Sequence, residues 1–256
     1  MILYGLIGEK LGHSFSQKYF SEKFRRLALS ENYYKNFEIS SIEEFPKLIA
    51  GNPEIAGLNV TIPYKQKIIP FLDIISDAAL QIGAVNTISI KRTEKGIILK
   101  GDNTDIIGFE KTLLSFLVRD SKPQQKTPQA IVLGTGGAAK AVSFVLTKLN
   151  IPHIFVSRKP SKKDEINYSQ LNKKIIDNYH LIINTTPIGM YPDINRCPEI
   201  PFHYIGKHHF LYDLIYNPAE TDFLRRGRLQ EAKTINGQLM LEIQAEESWK
   251  IWNKEN

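Results

Sequence analysis

The sequence predicts an α/β chain built as two domains, and three observations carry that expectation. Strand-like and helix-like runs alternate through residues 1–105. A polar, proline-punctuated stretch at 119–128 then interrupts the pattern. From Ala130 the alternation resumes, with short apolar runs separated by helical periodicity. Such alternation is the signature of strands crossing over through helices into a largely parallel sheet. A chain of 256 residues can bury the cores of two domains.

Taken in order, residues 3–7, 34–39, 55–60, 87–90 and 97–99 read as strands, and 17–29, 42–49 and 74–82 as helices. Lys91 to Gly96 reads as a hairpin-like turn in which glycine supplies the positive φ. Residues 106–118 form an expected connecting helix with Thr104 or Asp105 at its cap. In the second half, 130–133, 154–157, 181–184 and 210–214 are the expected strands, with helices between them. No internal repeat or low-complexity tract is present.

Composition narrows the class. Hydrophobic residues at 42% and charged residues at 23% suit a soluble globular chain. No apolar run reaches membrane-spanning length, and the N-terminus reads as a first strand, not a signal peptide. The single cysteine, Cys197, permits no internal disulfide, which fits a reducing cytoplasm. Net charge is +6, but the basic residues are dispersed and lack the aromatic-interleaved stripe of a nucleic-acid binder. Attraction of anionic small molecules is the better use of such a field. No metal site is expected.

Three places carry chemistry. Asn59, Thr61 and Lys65 follow an apolar strand that Pro63 stops, and polar groups at a strand end usually face a ligand cleft. A lysine there can act as acid/base or orient a polar substrate; a turn with a solvated lysine fits the isolated segment equally. Next, the strand 130–133 runs straight into Gly134-Thr135-Gly136-Gly137-Ala138-Ala139 and a helical stretch. Strand, glycine turn and helix form a dinucleotide fingerprint, with backbone amides at the helix start binding the pyrophosphate and Ala139 allowing close packing. Finally, where an NAD site usually carries an acid, the chain has Ser157, Arg158 and Lys159, with Lys162 close behind. A guanidinium grips a 2′-phosphate that an acid would repel, so the cluster points to NADP.

Together these segments resemble the shikimate dehydrogenase family. The likeness rests on Gly12-His13-Ser14-Phe15-Ser16, residues 57–65, Gly83-Ala84-Val85-Asn86-Thr87, Gly101-Asp102-Asn103-Thr104-Asp105, the 134–139 turn, residues 184–190 and residues 237–245, in that order. It implies an N-terminal α/β substrate domain, residues 1–105 with 238–256 returning to it, and a Rossmann-type NADP domain over 106–237. It implies NADPH-dependent reduction of 3-dehydroshikimate to shikimate. By the resemblance, Lys65 and Asp105 are the catalytic pair, Ser14 and Ser16 take the substrate carboxylate, and Asn59, Thr61, Asn86 and Gln244 hydrogen-bond the ring hydroxyls. Thr185 lies in the loop beside ribose and nicotinamide, and Leu214, Tyr216 and Gly237 line the nicotinamide side, with Tyr216 also near substrate.

The chain departs from the family pattern in places. Gln17-Lys18-Tyr19-Phe20 stands where a proline and a histidine-asparagine pair usually follow, Leu239 and Ile243 replace smaller residues, and Lys162 stands where an arginine is common. Competing readings are a quinate/shikimate dehydrogenase using quinate or NAD, a non-catalytic nucleotide-sensing relative, and a folate or amino-acid dehydrogenase of similar layout. Retention of both Lys65 and Asp105 argues against the sensor, and the paired serines with Asn86 against the last. Monomer and homodimer both remain open.

Overall fold

A computed structural model of the chain describes residues 1–12, 14–118 and 128–254. His13 and residues 119–127 of the expected loop lie outside the described residues. The chain divides into two compact units, Met1–Thr104 with Gln244–Asn256, and Asp105–Ile243.

The first unit contains β1 (Ile2–Gly8), α1 (Phe15–Arg26), β2 (Asn32–Glu38), α2 (Phe45–Gly51), β3 (Ile55–Val60), β4 (Ile74–Ile75), α3 (Asp77–Ile82), β5 (Thr87–Thr93) and β6 (Gly96–Asp102). Its sheet runs β2-β1-β3-β5-β6-β4. The β2–β1, β1–β3 and β6–β4 pairs are parallel, whereas β3–β5 and β5–β6 are antiparallel. The sheet is therefore mixed, not largely parallel as expected, because a hairpin can close only antiparallel strands. That hairpin turns at Glu94-Lys95, with Gly96 at φ +130, so both strands extend into the stretch expected to be turn.

Local chemistry sets the element ends. Ser14 caps α1 by accepting from the Gln17 amide at 3.4 Å, which starts the helix before the expected residue 17. The expected helix over 74–82 is shorter: Ile74 and Ile75 pair with Lys100 and Gly101, and Asp77 opens the helix that Gly83 ends at φ +66. Alternate residues of β1 serve two cores. Leu3 and Ile7 pack with Phe45, Ile55, Leu58 and Ile88, while Tyr4 and Leu6 pack with Phe20, Phe24 and Trp252. Trp252 stacks on Tyr4 at 4.8 Å and donates to the Ile88 carbonyl at 3.0 Å.

The second unit contains α4 (Asp105–Val118), β7 (Ala130–Leu133), α5 (Gly137–Lys148), β8 (His153–Val156), β9 (Glu165–Ile166), α6 (Lys173–Asn178), β10 (Leu181–Asn184), β11 (Phe210–Asp213), α7 (Asp222–Leu229) and β12 (Lys233–Ile235). Its sheet is parallel throughout, in the order β12-β11-β10-β7-β8-β9. Strand order reverses beside β7, the Rossmann arrangement in which ligands bind at the carboxyl ends of the strands. All four residues of β7 are buried. The final helix, α8 (Gln238–Lys254), belongs to the second unit as far as Ile243 and to the first from Gln244. Met240 joins the core around Phe109, whereas Ala245 and Trp252 join that around Tyr4.

A partly buried ion pair ties α8 to α1. Lys23 Nζ lies 2.6 Å from Glu246 Oε2, and Tyr19 also donates to that carboxylate. Burial pushes the Glu246 carboxyl up, but its bonds from Lys23 and Tyr19 and the charges of Lys23 and Arg26 outweigh this and hold it below the ordinary range. A carboxylate depressed in the folded state stabilises the fold above its unfolded pKa, and that contribution fades as pH falls through the folded value. Urea unfolding is expected to show Glu246→Gln less stable than wild type at about pH 7, with the gap narrowing as pH falls below 4.5.

Candidate functional site

In the first unit, most of the predicted side chains collect where β1, β3 and β5 meet. The Thr61 amide continues the sheet by donating to Ile7 O at 2.9 Å, and the Val60 amide donates to Asn86 O at 2.9 Å. Val85 N donates to Lys65 O at 2.7 Å, which holds the lysine backbone beside Asn86. Thr61 and Lys65 are both half-buried. Gly8 lets this convergence happen, since a Cβ there would run into Leu11 and lie 2.8 Å from the Thr61 methyl. The loop leading to Ser14 is held by Glu38, whose carboxylate accepts from the amides of Leu11 at 2.7 Å and Gly12 at 3.3 Å.

Asn59 and Asn86 belong to one buried network of amides and hydroxyls. Asn59 Oδ1 accepts from Tyr34 at 2.9 Å, and Nδ2 faces Ser248 Oγ at 2.9 Å, with Asn86 O and Thr87 Oγ1 at 3.3 Å. A carboxamide nitrogen has two protons, so this one is spent within the protein. The N–H groups of Asn59, a residue expected to meet a ligand directly, are thus engaged by the protein. Asn86 Oδ1 accepts from the Thr104 amide at 2.7 Å and Thr87 Oγ1 at 3.0 Å, while Nδ2 lies 3.1 Å from Thr104 Oγ1. Those bonds fix which end of the Asn86 amide is oxygen, and among the described residues its second N–H carries no bond. Gln244 Oε1 is likewise buried with no partner among the described residues. Buried polar atoms left unpaired are costly, which sets both apart from the paired network around them.

Ser14 and Ser16 flank the start of α1, both half-buried, and the Ser16 hydroxyl bonds the Tyr34 phenol. Burial raises that phenol far above its ordinary value, so it remains a neutral donor. Asp105, which opens α4, is buried at 3% exposure.

The second unit holds the glycine turn. Gly134 sits at φ +103, a conformation that suits glycine. Its amide donates to Val156 O at 2.9 Å, which seats the turn next to Ser157. A Cβ on Gly134 would lie 3.0 Å from Thr185 Oγ1 and the Thr186 methyl, so Thr185 borders the same turn. Gly136 is different: a Cβ there meets nothing within 4 Å. Open space faces the start of α5, a helix of 12 residues capped by no side chain. Thr135 is exposed, and Gly137 and Ala138 open the helix above buried Ala139. Uncapped amides and a dipole facing open space suit a phosphate. Arg158, Lys159 and Lys162 are exposed just beyond β8. The open cradle and its adjoining cations fit a 2′-phosphorylated dinucleotide.

Leu214 and Gly237 meet closely, since a Cβ on Gly237 would collide with the Leu214 carbonyl. The Leu214 amide donates to Asn184 O at 3.0 Å, and Tyr216 follows, half-buried. Leu239 is 43% exposed. Burial, first among its causes, pushes the Cys197 thiol up to about 12, so it stays protonated. Among the described residues no metal-binding group of three His, Cys, Asp or Glu side chains occurs, and no helix is long and apolar enough to cross a membrane.

Several residues escaped the sequence reading. Glu38 and Ser248 act through partners distant in the chain. Asp213 does too: it is fully buried and accepts from Thr221 Oγ1 at 2.6 Å, Ile215 N at 3.0 Å and Asn184 Nδ2 at 3.1 Å. It thereby anchors the loop carrying Leu214 and Tyr216. Asp102 Oδ2 and Asn103 Oδ1 are buried without partners among the described residues, a signal readable only in three dimensions.

Known proteins share these features. The family model described as "Shikimate dehydrogenase substrate binding domain" matches residues 6–88. A shikimate dehydrogenase (NADP(+)) of Clostridium beijerinckii is 40% identical, over 99% of this chain and 93% of that one. The crystal structure of shikimate dehydrogenase 1 from Peptoclostridium difficile superposes with a TM-score of 0.82 at 40% identity, covering 99% of this chain and 92% of that one. The Thermus thermophilus shikimate 5-dehydrogenase in complex with NADP(H) and shikimate gives 0.81 at 26% identity, covering 99% and 94%.

Burial raises the Asp213 carboxyl from 3.8 to about 6 against the opposing hydrogen bonds of Thr221, Ile215 and Asn184. A raised acid binds its proton more tightly when folded, so its contribution to stability is complete below 3.8 and declines as pH rises toward 6. Asp213→Asn does not titrate. Denaturant unfolding should therefore show it further below wild type at about pH 4 than at about pH 7.

Proposed function

The chain belongs to the shikimate dehydrogenase family, and from that membership we propose that it catalyses the reversible NADPH-dependent reduction of 3-dehydroshikimate to shikimate. The observation that carries this reading is the full-length likeness to NADP(+)-linked relatives. Quinate-type or NAD-linked use is not favoured, and the basic residues after β8 support NADP.

The roles follow from chemistry. NADPH, when bound, supplies the hydride. Lys65 delivers a proton to the oxygen on which negative charge develops, and withdraws it in the reverse direction. Its ammonium also stabilises that charge. Asp105 is its carboxylate partner in the proton transfer. Ser14 and Ser16 offer hydroxyl donors at the start of α1 to the substrate carboxylate. Thr61, Asn86 and Gln244 pair the ring hydroxyls, and Tyr216 is also assigned to the substrate. Gly134, Thr135, Gly136, Gly137 and Ala138 hold the pyrophosphate at the start of α5, and Ser157, Arg158, Lys159 and Lys162 the 2′-phosphate. Thr185, Leu214 and Gly237 line the nicotinamide end. In this reading residues 1–105 and 238–256 serve the substrate and 106–237 the cofactor, in a cytoplasmic enzyme acting as monomer or homodimer.

NADPH formation from shikimate by wild type, with Lys65→Ala alongside, tests the reaction. The variant is expected to lose about 10²–10⁴ in kcat while still binding NADPH by fluorescence titration. An active Lys65→Ala would overturn the assignment of the lysine. Gly136→Val, which fills open space at an extended φ of −77, should keep the wild-type melting temperature yet lose NADPH binding. Unchanged binding would remove the pyrophosphate from that turn.

A further inference from the structure

Ser248 lies on α8, one turn beyond Gln244, and is fully buried. Its hydroxyl is 2.8 Å from Thr87 Oγ1, 3.3 Å from Thr104 Oγ1, 3.0 Å from Gln244 O and 2.9 Å from Asn59 Nδ2. Thr87 and Thr104 are the two residues whose hydroxyls and amide orient Asn86. Behind them stands Tyr34, bonded to Asn59 and stacked on Phe20 at 4.7 Å with rings 9° from parallel. Phe20 falls in the stretch that departs from the family pattern. Here it supplies a buried aromatic wall, while Tyr19 and Lys23 of the same helix grip Glu246.

We propose that Ser248 is a positioning residue for substrate recognition: through Thr87 and Thr104 it locks the Asn86 carboxamide in one orientation and so presents its uncommitted N–H to a ring hydroxyl. A hydroxyl gives one proton and takes two. By accepting from Asn59 and turning its own proton to Thr87 Oγ1, Ser248 leaves the one proton of Thr87 for Asn86 Oδ1. Thr87 then donates to Asn86 Oδ1 and joins the Thr104 amide in marking the oxygen end. The network also reaches the Thr104 amide, immediately before Asp105 in the chain. Without Ser248 the threonine hydroxyls are free to reverse, and the Thr104 amide alone is left to hold the oxygen end of Asn86. The consequence falls on polyol recognition and not on the nucleotide.

The inference rests on Asn86 meeting the substrate as proposed above. Ser248→Ala and the shape-preserving Thr87→Val are each expected to raise KM for shikimate roughly tenfold, about the effect of one hydrogen bond. KM for NADP should stay unchanged and kcat within about threefold. Thr87→Ser, which keeps the hydroxyl, should restore the wild-type KM. In parallel, the side-chain amide protons of Asn86, read by NMR in ligand-free protein, should shift in Ser248→Ala and in Thr87→Val and keep their wild-type positions in Thr87→Ser. Unchanged KM and unchanged Asn86 resonances in Ser248→Ala would overturn the proposal. So would equal rises in KM for both substrates without rescue by Thr87→Ser, which indicate general loosening. A wild-type protein inactive on shikimate would overturn the functional reading instead, and the Asn86 resonances would still decide the network.

Discussion

Everything proposed for the first unit depends on one constraint: the Asn86 carboxamide is held between the Thr104 amide at 2.7 Å and the Thr87 hydroxyl at 3.0 Å. That pair of bonds joins the start of β5 to the end of β6, and the backbone bond from Val60 to Asn86 draws in β3. Lys65, Thr61 and Asn86 are neighbours because these strand ends are tied together, not because they are close in sequence. The cost of burying so many polar atoms is met by pairing nearly all of them. Of the buried side-chain atoms left unpaired among the described residues, Gln244 Oε1 belongs to a residue expected to meet a ligand.

The second unit solves a different problem with less side-chain chemistry. Its parallel strands leave backbone amides exposed at the start of α5, and glycine keeps the approach open at Gly136. Close packing elsewhere in the turn, Gly134 on Thr185 and Gly237 on Leu214, carries the surrounding loops to the same end of the sheet. Asp213 then fixes the 214–221 loop through the bonds it accepts from Ile215 and Thr221, and joins it to β10 through Asn184. A carboxylate buried this deeply suits the site only because each bond comes from a group that would otherwise be orphaned.

Strands such as β3 and β7 were legible because apolar residues bounded by glycine, proline and polar residues leave few alternatives. Helix α3 was read too long, since Ile74 and Ile75 carry the apolar character of a helix start but find strand partners in Lys100 and Gly101. The mixed sheet is not legible locally, because a hairpin's turn residues say nothing of the neighbour its strands pair with, and β5 pairs β3 as well as β6 antiparallel. In the candidate site, the chemistry-bearing residues stood out as motifs, whereas their bonding did not. Asn59 looked like a ligand group, and its N–H groups are engaged by the protein. Glu38, Asp213 and Ser248 looked like ordinary polar residues, because a side chain's partners across the fold leave no mark at short sequence spacing.

The most direct test of the account is a comparison of wild-type turnover on shikimate and quinate with NADP and with NAD, followed by absorbance of the reduced cofactor. The account predicts that shikimate with NADP is used far better than the other three pairs. Equal or better turnover with NAD or quinate, or no turnover with shikimate by the folded protein, would contradict it.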